Sequence, residues 1–106
     1  MADWEALLAQ VVGFDWDAGN TAKNWIRHRV TRSESEEAFF NQPIVVAEDG
    51  KHSRVEPRFA LLGRTNGERL LTIIFTIRGT QVRVISARPM SRKERSAYAK
   101  AIHEAD

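Results

Sequence analysis

Apolar positions change period midway along the chain. From Ala18 to Ile26 they recur at helical spacing, with Ala18, Ala22, Trp25 and Ile26 on one face of a helix that Asp17 can cap. A shorter helix is predicted over Trp4–Val12, opened by Asp3. Ser33 and Glu36 form a capping-box pattern ahead of Glu37-Ala38-Phe39-Phe40. Pro43 ends that helix and lets an extended run, Ile44–Ala47, begin. Further on, the period falls to two. Phe59–Thr65 and Arg69–Arg78 flank Asn66-Gly67, a two-residue hairpin signal, and Arg69–Arg78 and Gln81–Arg88 flank Gly79-Thr80, a turn with glycine first. Pro89 closes the sheet, and Ser91 with Glu94 opens a last helix to about Ala105. The predicted fold is α+β: N-terminal helices, an antiparallel meander sheet of three to four strands, and a C-terminal helix.

Two-residue turns set a register. Thr65 then pairs with Glu68, and Arg78 with Gln81. One sheet face carries Arg58, Ala60, Leu62, Leu71, Ile73, Phe75, Ile77, Val82, Val84, Ser86 and Arg88. The other carries Phe59, Leu61, Thr72, Ile74, Thr76, Arg78, Arg83, Ile85 and Ala87. The first is the more apolar and is expected to pack on helices. A single bulge would exchange part of the two sets.

At 106 residues the chain is read as a single domain, long enough for a modest core, with residues 1–13 as an N-terminal extension. It has no cysteine, which excludes disulfides and thiolate metal sites. No apolar run approaches the roughly 20 residues of a membrane helix, and Asp3 and Glu5 argue against a signal peptide. Charge is uneven. Residues 1–53 hold five Lys/Arg and nine Asp/Glu, net −4, whereas residues 54–106 hold eleven and five, net +6. Nine of those eleven cations are arginines, whose rigid fork suits phosphate. A polyanion partner and a merely solvated surface account for this equally well.

The ordered set of residues resembles a family. Phe14-Asp15-Trp16-Asp17 is followed by Asn24, Arg27-His28-Arg29-Val30-Thr31 and Glu36-Glu37-Ala38-Phe39-Phe40-Asn41-Gln42-Pro43. Then come His52-Ser53, Glu56, Arg58-Phe59, Gly63-Arg64-Thr65, Phe75-Thr76-Ile77-Arg78, Val82-Arg83-Val84-Ile85-Ser86-Ala87-Arg88, Glu94-Arg95 and Tyr98. Over residues 14–98 this is similar to the BrnT family of type II toxin–antitoxin ribonucleases. Two positions depart from its pattern. Arg29 stands where glycine is usual, which predicts a different helix C-cap, and Asn20 stands where lysine is common. The resemblance implies a RelE-like fold, RNA cleavage that arrests growth, and a bacterial, cytoplasmic setting. It also implies a cognate antitoxin of ribbon-helix-helix type, and operator DNA bound through that antitoxin.

Metal-independent RNA cleavage needs a base for the 2′-OH, cations for the growing phosphate charge and an acid for the leaving 5′ oxygen. His52, Glu56 and Arg58 share parity in an extended segment and are candidates for acid, base and clamp. The plainer alternative is a surface loop in which Glu56 pairs with Arg58 or Arg54. Arg78 and Arg83, one row apart on neighbouring strands, are a candidate phosphate cradle, or else a polar sheet end. Two arginines so placed repel without an anion or acid nearby. Arg88 either binds phosphate or pairs with Glu94. His28, near a helix C-terminus, is a further acid/base candidate or a capping residue, and His103 is expected to face solvent. The three histidines lack metal-ligand spacing, so neither metal nor cofactor is expected. The tryptophans are assigned to the core or a partner interface. The rival to an endoribonuclease is a non-catalytic module that holds protein or nucleic acid on the same basic face.

Overall fold

The computed structural model describes residues 4–49 and 56–105. Helix α1 (Trp4–Ala9) leads to a two-residue strand β1 (Gly13–Phe14), then α2 (Ala18–His28), α3 (Arg32–Phe40), β2 (Val45–Glu48), β3 (Phe59–Arg64), β4 (Leu70–Arg78), β5 (Gln81–Pro89) and α4 (Arg92–Ala105). The strands form one sheet in the order β1-β5-β4-β3-β2. Strands β2 to β5 make the expected antiparallel meander. A fifth strand lies outside the expected meander: β1 pairs parallel with the start of β5, which makes the sheet mixed. Two residues are too few to show a period, and the helix expected to reach Val12 stops at Ala9 to make room for them.

Register decides which residues the sheet buries. The β3–β4 connection is a three-residue loop, Asn66 to Glu68, and not the two-residue turn expected. Thr65 closes it with Arg69, the backbone N–H of each end being held by the other, and Glu68 sits in the left-handed region at φ 69°. The pairing slips by one residue, so Phe59 faces Phe75 and Leu61 faces Ile73. The β4–β5 turn is as expected, with Arg78 opposite Gln81 and Gly79 at φ 62°. A bulge then leaves Ile85 without an opposite residue between Ile74 and Phe75. With both shifts, Phe59, Leu61, Leu71, Ile73, Phe75, Val82, Val84 and Ala87 all bury on one face. The core is completed by Phe39 of α3, edge-on to Phe75 at 5.0 Å and to Phe14 at 5.3 Å.

Helix α3 presses closely on the sheet because β3 offers Gly63 beneath it. A Cβ there would stand 2.5 Å from the Ala38 carbonyl oxygen. The start of α3 is capped by Thr31 with Glu34, two residues earlier than the Ser33/Glu36 pattern. Both triplets fit the motif. The short α2–α3 link decides between them, because Val30 must bury immediately before the helix begins.

The α2 helix inverts its expected polarity. The asparagines Asn20 and Asn24 are its buried residues, while Ala18, Ala22, Trp25 and Ile26 are exposed. The reason lies in the edge of β5. Beyond Val82 no strand among the described residues pairs with that edge, and α2 supplies the missing hydrogen bonds. Asn20 Nδ2 donates to Val84 O at 3.1 Å, Lys23 Nζ donates to Ile85 O at 3.0 Å, and Asn24 Oδ1 accepts from Ala87 N at 3.0 Å. Buried backbone polar groups must be satisfied, so α2 turns its amides inward and its apolar stripe outward.

Arg29 also corrects an expectation. It occupies the left-handed C-cap of α2 at φ 54° despite being arginine. Its N–H donates to Trp25 O and that of Val30 to Asn24 O, and this closure carries Val30 into the core. The Arg29 carbonyl accepts from Arg69 Nη1 at 2.7 Å.

Candidate functional site

The two register shifts have a chemical consequence. The expected register divided the arginines, Arg58 and Arg88 on one face, Arg78 and Arg83 on the other. Moving β3 by one residue turns Ala60 to the side of Ile74, and Arg58 follows the same parity. The bulge turns Ser86 and Arg88 over as well, opposite Ile74 and Thr72. All four arginines therefore share the sheet face that α2 and α3 leave uncovered. A cleft of about 490 Å³ opens there, with Arg58 and Arg88 on its walls and Ala60, Ile74 and Ile85 among its lining.

Glu56 pairs with one of the four, Arg78. Its carboxylate takes Arg78 Nε at 3.3 Å and Nη2 at 3.1 Å. The Arg78 hydrogen bond, followed by the Arg78, Arg58 and Arg83 charges, holds the Glu56 pKa below the usual carboxylate range. Glu56 is thus ionised at neutral pH, in the form that can accept a proton, and its pairing with Arg78 makes it a weaker base than a free carboxylate. Among the described residues its ion-pair partner is Arg78, which the surface-loop alternative did not name. Thr76, opposite Arg83, is buried and donates to Pro57 O at 2.6 Å, which anchors the segment carrying Glu56 and Arg58 to the sheet.

Arg83 is held from the other side. Asp17 Oδ2 accepts from Arg83 Nη2 at 2.7 Å and Asp15 Oδ2 lies 3.4 Å from Nη1, leaving the arginine side chain 20% exposed. Asp17 is at the same time the N-cap of α2: its side chain accepts from Asn20 N while the Asn20 side chain accepts from Asp17 N. The Asn20 backbone bond first, and then Arg83, hold its pKa below the ordinary value. Capping was legible in the sequence. That the same carboxylate reaches Arg83, 66 residues on, was not.

Arg88 stands apart, toward the α4 end of the face. It makes a two-pronged ion pair with Glu94, at 2.7 and 2.9 Å, and Glu94 also accepts from Thr72 Oγ1 and Ser91 N. Of its two readings, the structure gives the ion pair. Arg88 foremost, with Ser91 and Thr72, lowers the Glu94 pKa to about 2. A carboxylate depressed in the folded state contributes stability that is present above its unfolded pKa and is lost as pH falls through its folded pKa. The Glu94 contribution, about 1–2 kcal/mol after discounting for solvent screening, is therefore expected to fade between pH 4.5 and 2. Unfolding free energies of wild type and Glu94→Gln across that window should converge toward its lower end.

The remaining candidates lie elsewhere. His28 ends α2, and its carbonyl accepts from Arg69 Nη2 at 2.8 Å, which places it at the opposite end of β4 from Arg78. His103 is exposed on α4, as expected. His52 and Arg54 lie outside the described residues, so the histidine expected to work with Glu56 has no described geometry. Among the described residues no cluster of His, Asp or Glu is arranged to hold a metal ion, and no helix is long and apolar enough to cross a membrane.

A family model described as the ribonuclease toxin BrnT of type II toxin–antitoxin systems matches residues 16–94. The chain belongs to the BrnT family. No curated protein matches it. The matched span runs from Trp16 to Glu94 and so takes in Asp17, Glu56 and all four arginines of the open face. A BrnT chain is a toxin of a type II system with ribonuclease activity, and its system includes an antitoxin partner.

Proposed function

We propose that this BrnT chain is a metal-independent endoribonuclease whose open sheet face binds the RNA backbone. The observation that carries the proposal is the gathering of Arg58, Arg78, Arg83 and Arg88 on one open sheet face, with Glu56 paired to Arg78. Arginine forks hold phosphate by charge and by paired N–H groups. Glu56 is the candidate base for the 2′-OH, Arg58, Arg78 and Arg83 are the candidate clamps, and Arg88 is placed at the far end of the substrate track. His52 is the candidate acid for the leaving oxygen, since His28 lies at the other end of β4. RelE-like RNases are the expected relatives in fold. A ribbon-helix-helix antitoxin, carrying the complex to operator DNA, is the expected partner.

The ion pairs on Arg78, Arg83 and Arg88 favour a second reading, a non-catalytic binding module, because each guanidinium already has an acid. Incubation of the purified protein with total RNA and with ribosomes in EDTA separates the two. Defined fragments that survive chelation support the ribonuclease, and intact RNA on both substrates supports the module.

A second test isolates Asp17. Asparagine caps a helix about as well as aspartate but lacks the charge that holds Arg83. Asp17→Asn is expected to melt within a few degrees of wild type and yet lose RNA cleavage as severely as Asp17→Ala. Asp17→Ala should lose about 1 kcal/mol of stability as well. Equal cleavage by Asp17→Asn and wild type would remove Asp17 from the positioning of Arg83.

A further inference from the structure

Among the described residues, no other helix or strand covers the outer face of α2. Ala18, Ala22, Trp25 and Ile26 lie along it at helical spacing, with Trp25 46% and Ile26 72% exposed. A shallow cleft of about 420 Å³ runs between this stripe and Arg32. The stripe is outside because the inner face of α2 is committed to the β5 edge, so no rotation of the helix buries it without orphaning Val84 O, Ile85 O and Ala87 N. The rim is basic. Arg27, Arg29 and Arg32 are exposed, and among the described residues none has a carboxylate partner. Arg29 lies 5.0 Å over the Trp25 ring and Arg32 lies 5.6 Å over that of Trp16. The one carboxylate at the cleft, Asp17, is engaged by Arg83.

We infer that this face is the docking site of the antitoxin, and that the segment it receives is acidic and amphipathic. The inference rests on the toxin reading and assigns its partner a place. Apolar anchors beside unpaired arginines fit a protein segment that brings both apolar side chains and carboxylates. They fit RNA less well, since Ala18, Ala22 and Ile26 offer nothing to phosphate or base edges, and Arg29 already covers one face of Trp25. The position also explains inhibition. Asp17 borders the cleft and holds Arg83, so an acidic segment lying along α2 ends beside the clamp arginine and competes with phosphate for it.

The test titrates the purified cognate antitoxin into wild type and into Trp25→Ala, Ile26→Asp and Ala22→Arg. All three positions are exposed, and Ala22→Arg keeps a good helix former on the surface, so the fold, checked by thermal melting, is retained. Each variant is expected to bind antitoxin about 30-fold or more weakly, with RNA cleavage unchanged in the absence of antitoxin. Wild-type affinity in all three overturns the inference. So does loss of affinity in Phe40→Glu alone, which would move the site to the other exposed apolar patch beside Val12. Variants that keep the antitoxin but lose RNA assign the face to substrate instead. Wild type that cleaves RNA yet binds no antitoxin overturns the docking site and leaves the ribonuclease standing, whereas wild type that does neither fails the toxin reading itself.

Discussion

Arg83→Ala is expected to lower RNA cleavage by about 10²–10³-fold, the loss seen when a preorganised donor to a developing oxyanion is removed. Arg83 is the arginine most firmly aimed. It leaves β5 opposite buried Thr76, and Asp17 and Asp15 hold its two terminal nitrogens. Its removal strands two carboxylates at the surface, where water solvates them, so stability should change by less than about 1 kcal/mol. Arg83→Lys keeps the charge but loses the fork, and is expected to fall between wild type and alanine. Single-turnover cleavage in EDTA, beside thermal melts of the same preparations, checks both halves. A well-folded Arg83→Ala protein that cleaves at the wild-type rate would place the chemistry elsewhere.

Gly63→Ala is expected to meet the closest steric clash of any alanine substitution at the described glycines. Its Cβ would stand 2.5 Å from Ala38 O and 3.2 Å from Ala38 C, both rigid backbone atoms. Either α3 lifts from β3 or the strand bends away, and overpacking of this kind costs about 1–3 kcal/mol or somewhat more. For a domain of this size that is a fall in Tm of roughly 5–20 °C. The strain falls on the core face, where Phe39 meets Phe75, and not on the face that carries the arginines. Residual folded protein should therefore cleave RNA at the wild-type rate per molecule. A melt within a few degrees of wild type would show that α3 can shift without loss.

Element identity was largely written in local chemistry. Asp17 and Ser91 cap the helices expected of them, Gly79 makes the expected turn, and the apolar alternation from Phe59 to Arg88 marks three of the five strands. The grouping of residues on faces was not legible. Asn66-Gly67 offers a two-residue turn as readily as the first part of a three-residue loop, and one residue of slip reverses every side chain of β3. The bulge at Ile85 is equally silent, since Val84, Ile85 and Ala87 are apolar in either register.

The same limit applied to α2. Amphipathic spacing identifies which residues share a side of a helix, but it assumes that the apolar side goes in. Here the unpaired edge of β5 asked for amides, and Asn20, Lys23 and Asn24 answered it. By itself the sequence determined the helices, the meander, the basic C-terminal half and the resemblance to BrnT toxins, because those are properties of neighbours along the chain and of residue order. Only the tertiary structure decided that Arg58, Arg78, Arg83 and Arg88 share one face with Glu56 paired to Arg78, that Asp17 reaches Arg83, and that Trp25 and Ile26 face outward. Those depend on strand register and on which backbone groups lack a partner, and both are settled between segments far apart in the chain.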